Sequence, residues 1–591
     1  MEETPTLASP VRPLCGGHRI ARLNNIATGA DIPKNIVKSG NQAYKSPSPH
    51  TAAQESPMAF PSTPNIVLFV TDQQRQLQYF PSAWTDANLV NLNALMANGL
   101  TFTNAIVNSA RCSPSRGVLT TGLYAPTNGL TQVGATLPTQ WPTLTARLQA
   151  AGLGYQIGYV GKWHMSSSLL AAANRRPNAP AAMAAQNAFL LDSYGTPGWD
   201  APDAGTALGW QSSTPPPHGK PYTSTANTLG GGPGSYTRND ARIADDAIAF
   251  LQRLDPAKPF LLIVSLVNPH DVWVDMYSGL LQQAYPEFPA AFDALTGADQ
   301  FVLPPSYAED DLTGKPVIQA QIRKSYTQTW AQNNGVSPVP VKLDTADALS
   351  YLKFYAYLTY LADRELQRVY SALQAMPQFD DTLVVRLADH GEMGMSHGGS
   401  MEKDCNVYAE TLSVPYVFSN PVLFPQASTC AAQAGLVDIV PTVFGLLRQP
   451  LAAGQVQGVD LSALIDDPAS PPPRDSSLFT YDDGYPWHIR AIQAAPGAVS
   501  VDGQPTTSSY KYAVYYQLTG YNEVDTGNLQ YELYIPGAAG EIVNLQPTNP
   551  ALQSALHILL TQRMSDADAS APAGGAPVTP PGWPAMVPGT A

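Results

Sequence analysis

Residues 112–116, Cys-Ser-Pro-Ser-Arg, are the part of this sequence whose residue types most directly suggest chemistry. A lone cysteine is usually a small buried hydrophobic residue, and its reactivity more than its packing decides whether it matters. Here Arg116 follows the Cys112 thiol by four residues, Pro114 stiffens the turn between them, and small residues that could begin a helix come next. Because backbone N–H groups at a helix N-terminus favour anions, this pattern predicts a reactive side chain presented at such a terminus.

Further polar side chains stand directly after four mostly apolar segments, which are typical of strands buried on both faces of a sheet. The segments are residues 65–70, 155–160, 259–267 and 382–388. The side chains that follow them are Asp72, then Lys162 and His164, then His270, and lastly Asp389 and His390. Because the carboxyl ends of parallel strands lie at one edge of a sheet, we expect these side chains to lie together.

Each of these side chains has an ordinary explanation when it is considered alone. Asp72 could cap the next helix, a single histidine is often a surface or satisfied core residue, and a single lysine is usually solvated. The chain has nine histidines, and three of them occupy these positions after predicted strands. Four such coincidences at one sheet edge favour a shared site over four unrelated explanations.

The residue types in this set suggest a metal-assisted reaction on an oxyanion. Two aspartates and a histidine suit a hard divalent cation, whereas a structural zinc site would need several cysteines. Three cations, Arg116, Lys162 and Lys403, would add positive charge beside the metal. That combination suits an ester of a tetrahedral oxyanion, such as sulfate or phosphate. His164 and His270 could then donate hydrogen bonds or transfer protons near neutral pH.

The elements that must position these residues alternate between helix and strand. Residues 141–152, 241–254 and 346–376 have helical patterns, and each segment leads into one of the predicted strands. This alternation predicts an α/β fold with a mostly parallel central sheet and helices on both faces. Strand-like segments near residues 477–481, 510–516 and 529–535, with a helix over 549–564, predict a small C-terminal antiparallel sheet packed with a helix.

Several segments resemble the motifs of the sulfatase family, within the alkaline-phosphatase-like superfamily, and they occur in the family's order. They are Asn-Ile-Val-Leu-Phe-Val-Thr-Asp-Gln-Gln from residue 65, Cys-Ser-Pro-Ser-Arg from 112, Gly-Lys-Trp-His from 161, Asn-Pro-His from 268 and Asp-His-Gly-Glu from 389. The resemblance extends from about Pro64 to about Arg563. It implies an enzyme that hydrolyses sulfuric esters.

For the site itself, the resemblance implies that Cys112 is converted to formylglycine (3-oxoalanine) by a formylglycine-generating enzyme. The hydrated gem-diol would attack sulfur, and its second hydroxyl could expel sulfate by C–O cleavage, which a serine could not do. The implied metal ligands are Asp72, Asp389, His390 and the residue at Cys112, with Gln73 as a further candidate. Arg116 would orient the diol, Lys162 and Lys403 would bind the sulfate, His164 would assist collapse of the covalent sulfate ester, and His270 would bind sulfate and protonate the leaving oxygen.

Two alternatives remain open. Gln73 and His390 resemble the phosphonate monoester hydrolase and choline-sulfatase-like branch, so that calcium and manganese both remain candidates for the metal. A phosphonate monoester or phosphodiester hydrolase with the same site is therefore one alternative. A non-catalytic anion-binding relative is the other, and the intact set of Cys112, the basic side chains and the histidines argues against it.

Composition narrows the class of protein. The 591 residues carry a net charge of −14, which argues against broad binding of nucleic acid. We expect no membrane span, because no run of about 18 apolar residues occurs, and a cytoplasmic location, because no secretory signal is visible. Of four cysteines, one would be modified, which leaves no disulfide framework. The expected substrate is a small-molecule sulfate or phosphate ester.

The same composition predicts four parts of the chain. Residues 1–60 are rich in Pro, Ser, Ala and Asn, and we expect a disordered extension there. Residues 61–465 would form the catalytic domain, and residues 475–565 a smaller C-terminal subdomain. Residues 566–591 are rich in Ala, Pro and Gly, and we expect a disordered tail.

Overall fold

Strand β1, Asn65–Asp72, is the central strand of the fold, and all of its residues are buried. It pairs in parallel with β4, Phe260–Pro269, on one side and with β5, Thr382–Ala388, on the other. Strand β3, Gln156–Gly161, pairs in parallel with β4. The computed structural model describes residues 63–166, 188–197, 239–276, 281, 285–537 and 539–587, all within one compact unit that begins at Pro57. The four strands predicted from their apolar runs are therefore adjacent and parallel.

The main sheet has seven strands in the order β3-β4-β1-β5-β6-β2-β7. Its remaining strands are β2, Gly99–Ile106, β6, Tyr416–Ser419, and β7, Ser428–Gly435. Strand β6 runs antiparallel to β2 and β5, whereas β7 pairs in parallel with β2. The sheet is thus mostly parallel, as the sequence predicts, with one antiparallel strand inserted.

Helices cover both faces of this sheet. The principal helices are α1 Ser82–Asn88, α2 Val90–Ala97, α3 Cys112–Thr121, α4 Leu144–Ala150, α5 Asn239–Leu251, α6 Val317–Asn333, α7 Thr345–Gln374, α8 Ile439–Leu446 and α9 Pro550–Ser570. Alternate residues of β1 belong to two hydrophobic clusters: that of Leu68 includes side chains of α3, α4 and α8, and that of Phe69 includes side chains of α2, α5 and α7. This alternation is the period of two expected for a strand between two helical layers.

A second sheet of four antiparallel strands lies near the C-terminus, in the order β13-β12-β9-β8. Its strands are β8 Ser476–Tyr481, β9 His488–Ala494, β12 Tyr510–Tyr516 and β13 Gln530–Tyr534, and a short hairpin of β10 Ser500–Val501 and β11 Gln504–Pro505 precedes β12. Helix α9 contacts β8, β9 and β12. Side chains of both sheets belong to one hydrophobic cluster, so the predicted smaller subdomain is a separate sheet that shares a core with the larger one.

The prediction of a disordered tail over residues 566–591 is wrong for residues 566–587. Helix α9 continues to Ser570, and Arg490 Nε donates a hydrogen bond to the carbonyl of Val578 at 2.9 Å. The ring of Trp583 stacks on His557 at a centroid distance of 5.4 Å. These few anchoring side chains order a segment whose overall composition suggests disorder. Residues 588–591 and the predicted disordered extension, 1–60, lie outside the described residues.

In the described part of the chain, no helix combines the length and the hydropathy needed to cross a membrane.

Candidate active site

The carboxyl ends of the four parallel strands bring the predicted polar side chains to one edge of the main sheet. Asp72 is the last residue of β1, and Lys162, His270 and Asp389 each directly follow one of the other three strands. Helix α3 begins at the same edge with Cys112. One ligand atom from each of Asp72, Cys112, Asp389 and His390 lies within 4.8 Å of the others.

Cys112 is the first residue of α3 and its side chain is buried. Its Sγ lies 3.1 Å from Nε2 of His390 and 3.8 Å from Oδ1 of Asp72. Burial raises the pKa of the thiol, but Lys162, His390 and Lys403 outweigh it, and the pKa lies well below its usual value. The surroundings of Cys112 therefore favour an anion at this position.

Arg116, one turn further along α3, joins the two aspartates. Its Nη2 lies 2.8 Å from Oδ2 of Asp72, and its Nε lies 3.0 Å from Oδ2 of Asp389. Its Nη1 donates to the carbonyl of Lys162 at 2.9 Å and to Oγ of Ser265 at 2.8 Å. The guanidinium thus fixes two carboxylates and the ends of β3 and β4, a contact set that the sequence did not predict.

The two aspartates have opposite electrostatic surroundings. Burial and the Cys112 thiolate raise the pKa of Asp72, but the cation Lys162, with contributions from His270 and the cation Arg116, holds it well below its usual range. Lys162 Nζ lies 2.6 Å from Oδ2 of Asp72. Burial raises the pKa of Asp389 to about 7, and the charge of Asp72 adds to this effect. Arg116 contacts one oxygen of each carboxylate, and a divalent cation beside the other oxygens would reduce their repulsion further.

His390 presents one ring nitrogen to this cluster. Its Nδ1 lies 3.1 Å from the carbonyl of Gly391, while its Nε2 lies 3.6 Å from Oδ1 of Asp389 and 3.8 Å from Oδ1 of Asp72. Burial lowers the pKa of His390, but Asp389 and Cys112 outweigh it and raise it to about 9. A histidine whose Nδ1–H is held by a carbonyl has its Nε2 free for a metal.

This donor set fits a divalent cation. Two carboxylates, an imidazole and the side chain at position 112 converge, and a cation would relieve the repulsion that raises the pKa of Asp389. Carboxylate oxygens with one imidazole suit manganese, and an oxygen at position 112 would make the set suitable for calcium as well. Asp72, Asp389, His390 and residue 112 would hold the ion.

The two histidines predicted for proton transfer also adjoin the nucleophile. Burial lowers the pKa of His164 to about 4, and a hydrogen bond to Cys112 opposes this shift. Burial also lowers the pKa of His270, with a further contribution from Lys162. Within the described residues, Nδ1 of His164 and Nδ1 of His270 have no hydrogen-bond partner. His164 is therefore neutral near pH 7, and each of the two rings has a nitrogen available to a ligand.

Lys403 and Gln73 contact each other. Lys403 Nζ donates to Oε1 of Gln73 at 2.5 Å and to Oε2 of Glu402 at 2.7 Å. Gln73 Nε2 in turn donates to Oε2 of Glu392 at 2.5 Å. The Gln73 amide is therefore engaged at both ends, and its role as a metal ligand stays a prediction. Sequence reasoning missed Glu392 and Glu402, although Glu392 lies in the Asp-His-Gly-Glu motif and Glu402 precedes Lys403.

A comparison with known protein families shows to which family this chain belongs. The Sulfatase family model matches residues 64–449, which is more than half of the chain. The protein belongs to the sulfatase family. The match includes every residue of the site described above, from Asp72 to Lys403.

Individual relatives agree with this assignment. An ulvan-active sulfatase of Formosa agariphila is 24% identical over 432 residues, which cover 72% of this chain and 70% of the relative. An N-acetylglucosamine-6-O-sulfatase of Bacteroides thetaiotaomicron is 22% identical over 448 residues, covering 69% of this chain and 72% of the relative. The sulfatase described here is accordingly an enzyme of the sulfuric ester hydrolase class.

Solved structures share the fold. A 2-O GAG sulfatase superposes with a TM-score of 0.60 at 18% identity and covers 85% of this sulfatase and 92% of its own chain. A phosphonate monoester hydrolase of Agrobacterium radiobacter superposes with a TM-score of 0.56 at 17% identity, covering 85% and 96% of the two chains. The predicted alkaline-phosphatase-like fold is confirmed.

Proposed function

We propose that this sulfatase hydrolyses a sulfate monoester, with a formylglycine made from Cys112 as its nucleophile and one divalent metal ion. The observation that carries the proposal is the position of Cys112, at the N-terminus of α3, with its Sγ 3.1 Å from His390 and 3.8 Å from Asp72. A thiol there is influenced by the cations Lys162 and Lys403 and is close to the prospective metal ligands Asp72, Asp389 and His390. A host enzyme that generates formylglycine is required as a partner for maturation.

The formylglycine and the metal ion would have defined tasks. A hydrated formylglycine supplies two hydroxyls, one to attack sulfur and one to expel sulfate, and a divalent ion supplies charge that makes a hydroxyl more acidic. Asp72, Asp389 and His390 would hold that ion, which is calcium or manganese in this proposal. The approach of ligand atoms from these three residues and from residue 112 to within 4.8 Å of one another supports this part of the proposal.

The remaining side chains bind sulfate and move protons. Lys162 and Lys403 are buried cations that both act on Cys112, and each would bind a sulfate oxygen by a charge-assisted hydrogen bond. Arg116 pairs with both aspartates and holds them in position. His164, neutral above pH about 4, would accept a proton from the group at position 112. The side chain of His270 is more exposed than that of His164, and it would donate a hydrogen bond and a proton to the leaving oxygen.

A phosphonate monoester or phosphodiester hydrolase is the second candidate. The observation in its favour is the pair Gln73 and His390, a variant that resembles the phosphonate monoester hydrolase and choline-sulfatase-like branch. The same buried cations would bind a phosphoryl group as well as a sulfuryl group. A comparison of substrates therefore separates the two functions.

The test uses 4-nitrophenyl sulfate and bis(4-nitrophenyl) phosphate with the wild type and with Cys112→Ala. We expect faster turnover of the sulfate, and loss of that turnover by at least about 1000-fold in Cys112→Ala with the fold intact by circular dichroism. Cys430→Ala, another buried cysteine on β7, is the control and should retain full turnover. Fast diester cleavage without sulfate release would favour the second candidate, and near-normal turnover by Cys112→Ala would contradict both.

A further inference from the structure

Lys403 is held in the candidate active site by two acceptors. Its Nζ donates to Oε1 of Gln73 at 2.5 Å and to Oε2 of Glu402 at 2.7 Å. The ammonium group is buried, and its charge acts on the Cys112 thiol. Two of its three donors thus have acceptors among the described residues, and the third can serve an oxygen of sulfate. Whatever fixes the two acceptors therefore also fixes the direction of the third donor.

Both acceptors belong to residues with an unusual backbone conformation. Gln73 has a φ of 66° and Glu402 has a φ of 65°, in the left-handed region that residues with a Cβ rarely adopt. Such a conformation persists only where surrounding contacts hold it. The N–H of Gln73 donates to Oδ1 of Asp389 at 3.1 Å, and the N–H of Glu402 donates to Oε1 of Glu392 at 2.9 Å. Glu392 therefore supports one of the two strained positions directly.

Glu392 contacts the other acceptor as well. Its Oε2 accepts from Nε2 of Gln73 at 2.5 Å. Besides the N–H of Glu402, its Oε1 accepts from the Tyr351 hydroxyl at 3.0 Å and from the N–H of Gly394 at 3.1 Å. Four donors thus converge on one carboxylate that has no exposed surface, and an ionised carboxylate has acceptor sites for all of them. One side chain thereby joins α7, the residue after β1 and the segment after β5.

The charge of Glu392 determines which way the Gln73 amide points. An ionised carboxylate can only accept hydrogen bonds, so it requires the amide nitrogen on its own side. An ammonium group can only donate, so Lys403 requires the amide oxygen on the other side. Both requirements give one orientation, with Nε2 toward Glu392 and Oε1 toward Lys403. The amide of Gln73 therefore links the carboxylate to the ammonium group.

We infer that Glu392 is a positioning residue for sulfate binding: through the Gln73 amide and the Glu402 backbone, it holds the Lys403 ammonium where that group binds the sulfuryl oxygens. This inference rests on the proposed function, in which Lys403 binds sulfate. Glu392 itself would touch neither the ester nor the metal. Gln73 would serve as the link between Glu392 and Lys403, a role distinct from the metal ligand that the family resemblance implies.

Glu392→Gln is the variant that isolates this role. The amide oxygen of the variant can keep the contacts of Oε1, but its NH2 group would face Gln73. The Gln73 amide would then turn over, and Lys403 would meet an NH2 group in place of an acceptor. Isothermal titration calorimetry of full-length, metal-loaded protein with inorganic sulfate should give a Kd about tenfold higher than that of the wild type. In the matured enzyme, KM for 4-nitrophenyl sulfate should rise about tenfold, and kcat should change less than about threefold.

An exchange of the two side chains gives a readout that a purely structural role would not move. In Gln73→Glu/Glu392→Gln, the amide at position 392 would donate to a carboxylate at position 73, and that carboxylate would accept from Lys403. The double variant keeps the total charge of the wild type, and its Kd for sulfate should return to within about threefold of the wild-type value. Gln73→Leu removes the link and should weaken sulfate binding as much as Glu392→Gln does, which provides a second test if Glu392→Gln does not fold.

Tyr351→Phe is the matched control, because it removes a donor to Oε1 of Glu392 and leaves the contact of Oε2 with Gln73 in place. It should lower the free energy of unfolding and change the Kd for sulfate by less than about twofold. The inference is overturned if Glu392→Gln weakens sulfate binding no more than Tyr351→Phe does, or if the exchange of side chains restores no affinity. It is also overturned if elemental analysis shows that Glu392→Gln loses bound metal to the same extent as it loses sulfate affinity.

Failure of the proposed function would give a different result from failure of this inference. A wild-type protein that hydrolyses no sulfate ester, but binds inorganic sulfate with the dependence on Glu392 described above, would contradict the proposed function and leave the inference standing. A wild-type protein that hydrolyses sulfate esters, with a Glu392→Gln variant equal to it in Kd and KM, would do the reverse. A wild-type protein that neither binds sulfate nor hydrolyses its esters would contradict both.

Discussion

Lys162 Nζ lies 2.6 Å from Oδ2 of Asp72, and neither side chain has any exposed surface. Arg116 Nη2 contacts the same oxygen at 2.8 Å, whereas Oδ1 of Asp72 lies on the side of Cys112 and His390. One oxygen of the Asp72 carboxylate thus contacts two cations, and the other oxygen faces the prospective metal site. Because the two cations keep Asp72 ionised in a buried position, its second oxygen is available to bind a divalent ion.

Arg116→Met should destabilise the protein and inactivate it. The substitution removes the positive charge between Asp72 and Asp389, and an uncompensated buried charge costs about 3 kcal/mol or more. Urea denaturation of chelator-treated protein measures this free energy of unfolding. Arg368→Met is the control, since the Arg368 pair with Asp245 is 43% exposed on the arginine side and should contribute less than about 1 kcal/mol. Equal effects of the two substitutions would contradict the structural role of Arg116.

Lys403→Met should lower kcat/KM for 4-nitrophenyl sulfate about 100-fold, mostly through a higher KM, because a buried cation that binds sulfate is lost. The side chain contacts Gln73 and Glu402 and is nearly inaccessible to solvent. Steady-state kinetics with Lys258→Met as the control measure the effect, since the Lys258 side chain is 59% exposed. A change of less than twofold for Lys403→Met would exclude Lys403 from sulfate binding.

Removal of the metal should lower both activity and stability. Chelation leaves Asp72 and Asp389 to repel each other, and a ligand present at 100 times its Kd stabilises a protein by about 2.7 kcal/mol. A thermal scan before and after chelation should show a lower Tm that calcium or manganese restores. Asp389→Asn should abolish most of the response. A Tm that is insensitive to both chelator and metal would contradict a metal site at these residues.

The stability of the protein should also decline with pH because of Asp363 on α7. Its two oxygens accept hydrogen bonds from the N–H groups of Asn91 and Leu92 at the start of α2, at 2.8 and 2.9 Å. Burial raises the pKa of Asp363 to about 6, although the N–H groups of Asn91 and Leu92 lower it. The folded protein therefore holds this proton more tightly than the unfolded chain does, and the stability it confers is complete below pH about 4 and lost as pH rises to about 6.

The matched variant for this effect is Asp363→Asn, which does not titrate. The difference in free energy of unfolding between wild type and variant should fall by about 2 kcal/mol between pH 4 and pH 7. Urea denaturation across this range gives the difference directly. A difference that stays constant with pH would show that Asp363 has an ordinary pKa in the folded protein.

The strands that carry the site could be predicted because they are continuous apolar runs between two helical layers. Strand β7, by contrast, has the sequence Ser-Thr-Cys-Ala-Ala-Gln-Ala-Gly and pairs only with β2 at the sheet edge, so its small and polar residues give no apolar run. Strand β9 was missed because His488, Arg490 and Gln493 interrupt its apolar residues. Arg490 is buried there, and its Nε donates to the carbonyl of Val578, a long-range contact that local patterns do not contain.

In the candidate active site, too, some residues could be predicted from local sequence patterns and others could not. Cys112 and the strand-end side chains could be found because each follows a recognisable local pattern. The contacts that hold Lys403 in place could not be found in this way, because they depend on a turn that brings Glu402 next to Glu392. In this turn, Glu392 Oε1 accepts a hydrogen bond from the backbone N–H of Glu402 at 2.9 Å. The hydrogen bond from the Tyr326 hydroxyl to Asp404, next to Lys403, likewise joins residues more than 70 positions apart.

Peptide mass spectrometry of the Cys112 segment, from a preparation that hydrolyses 4-nitrophenyl sulfate, tests the central claim most directly. The account predicts a mass about 18 Da below that of the cysteine form, as conversion of the thiol to an aldehyde requires. The fraction of converted peptide should rise in proportion to specific activity across preparations. An unmodified Cys112 thiol throughout a fully active preparation would contradict the account.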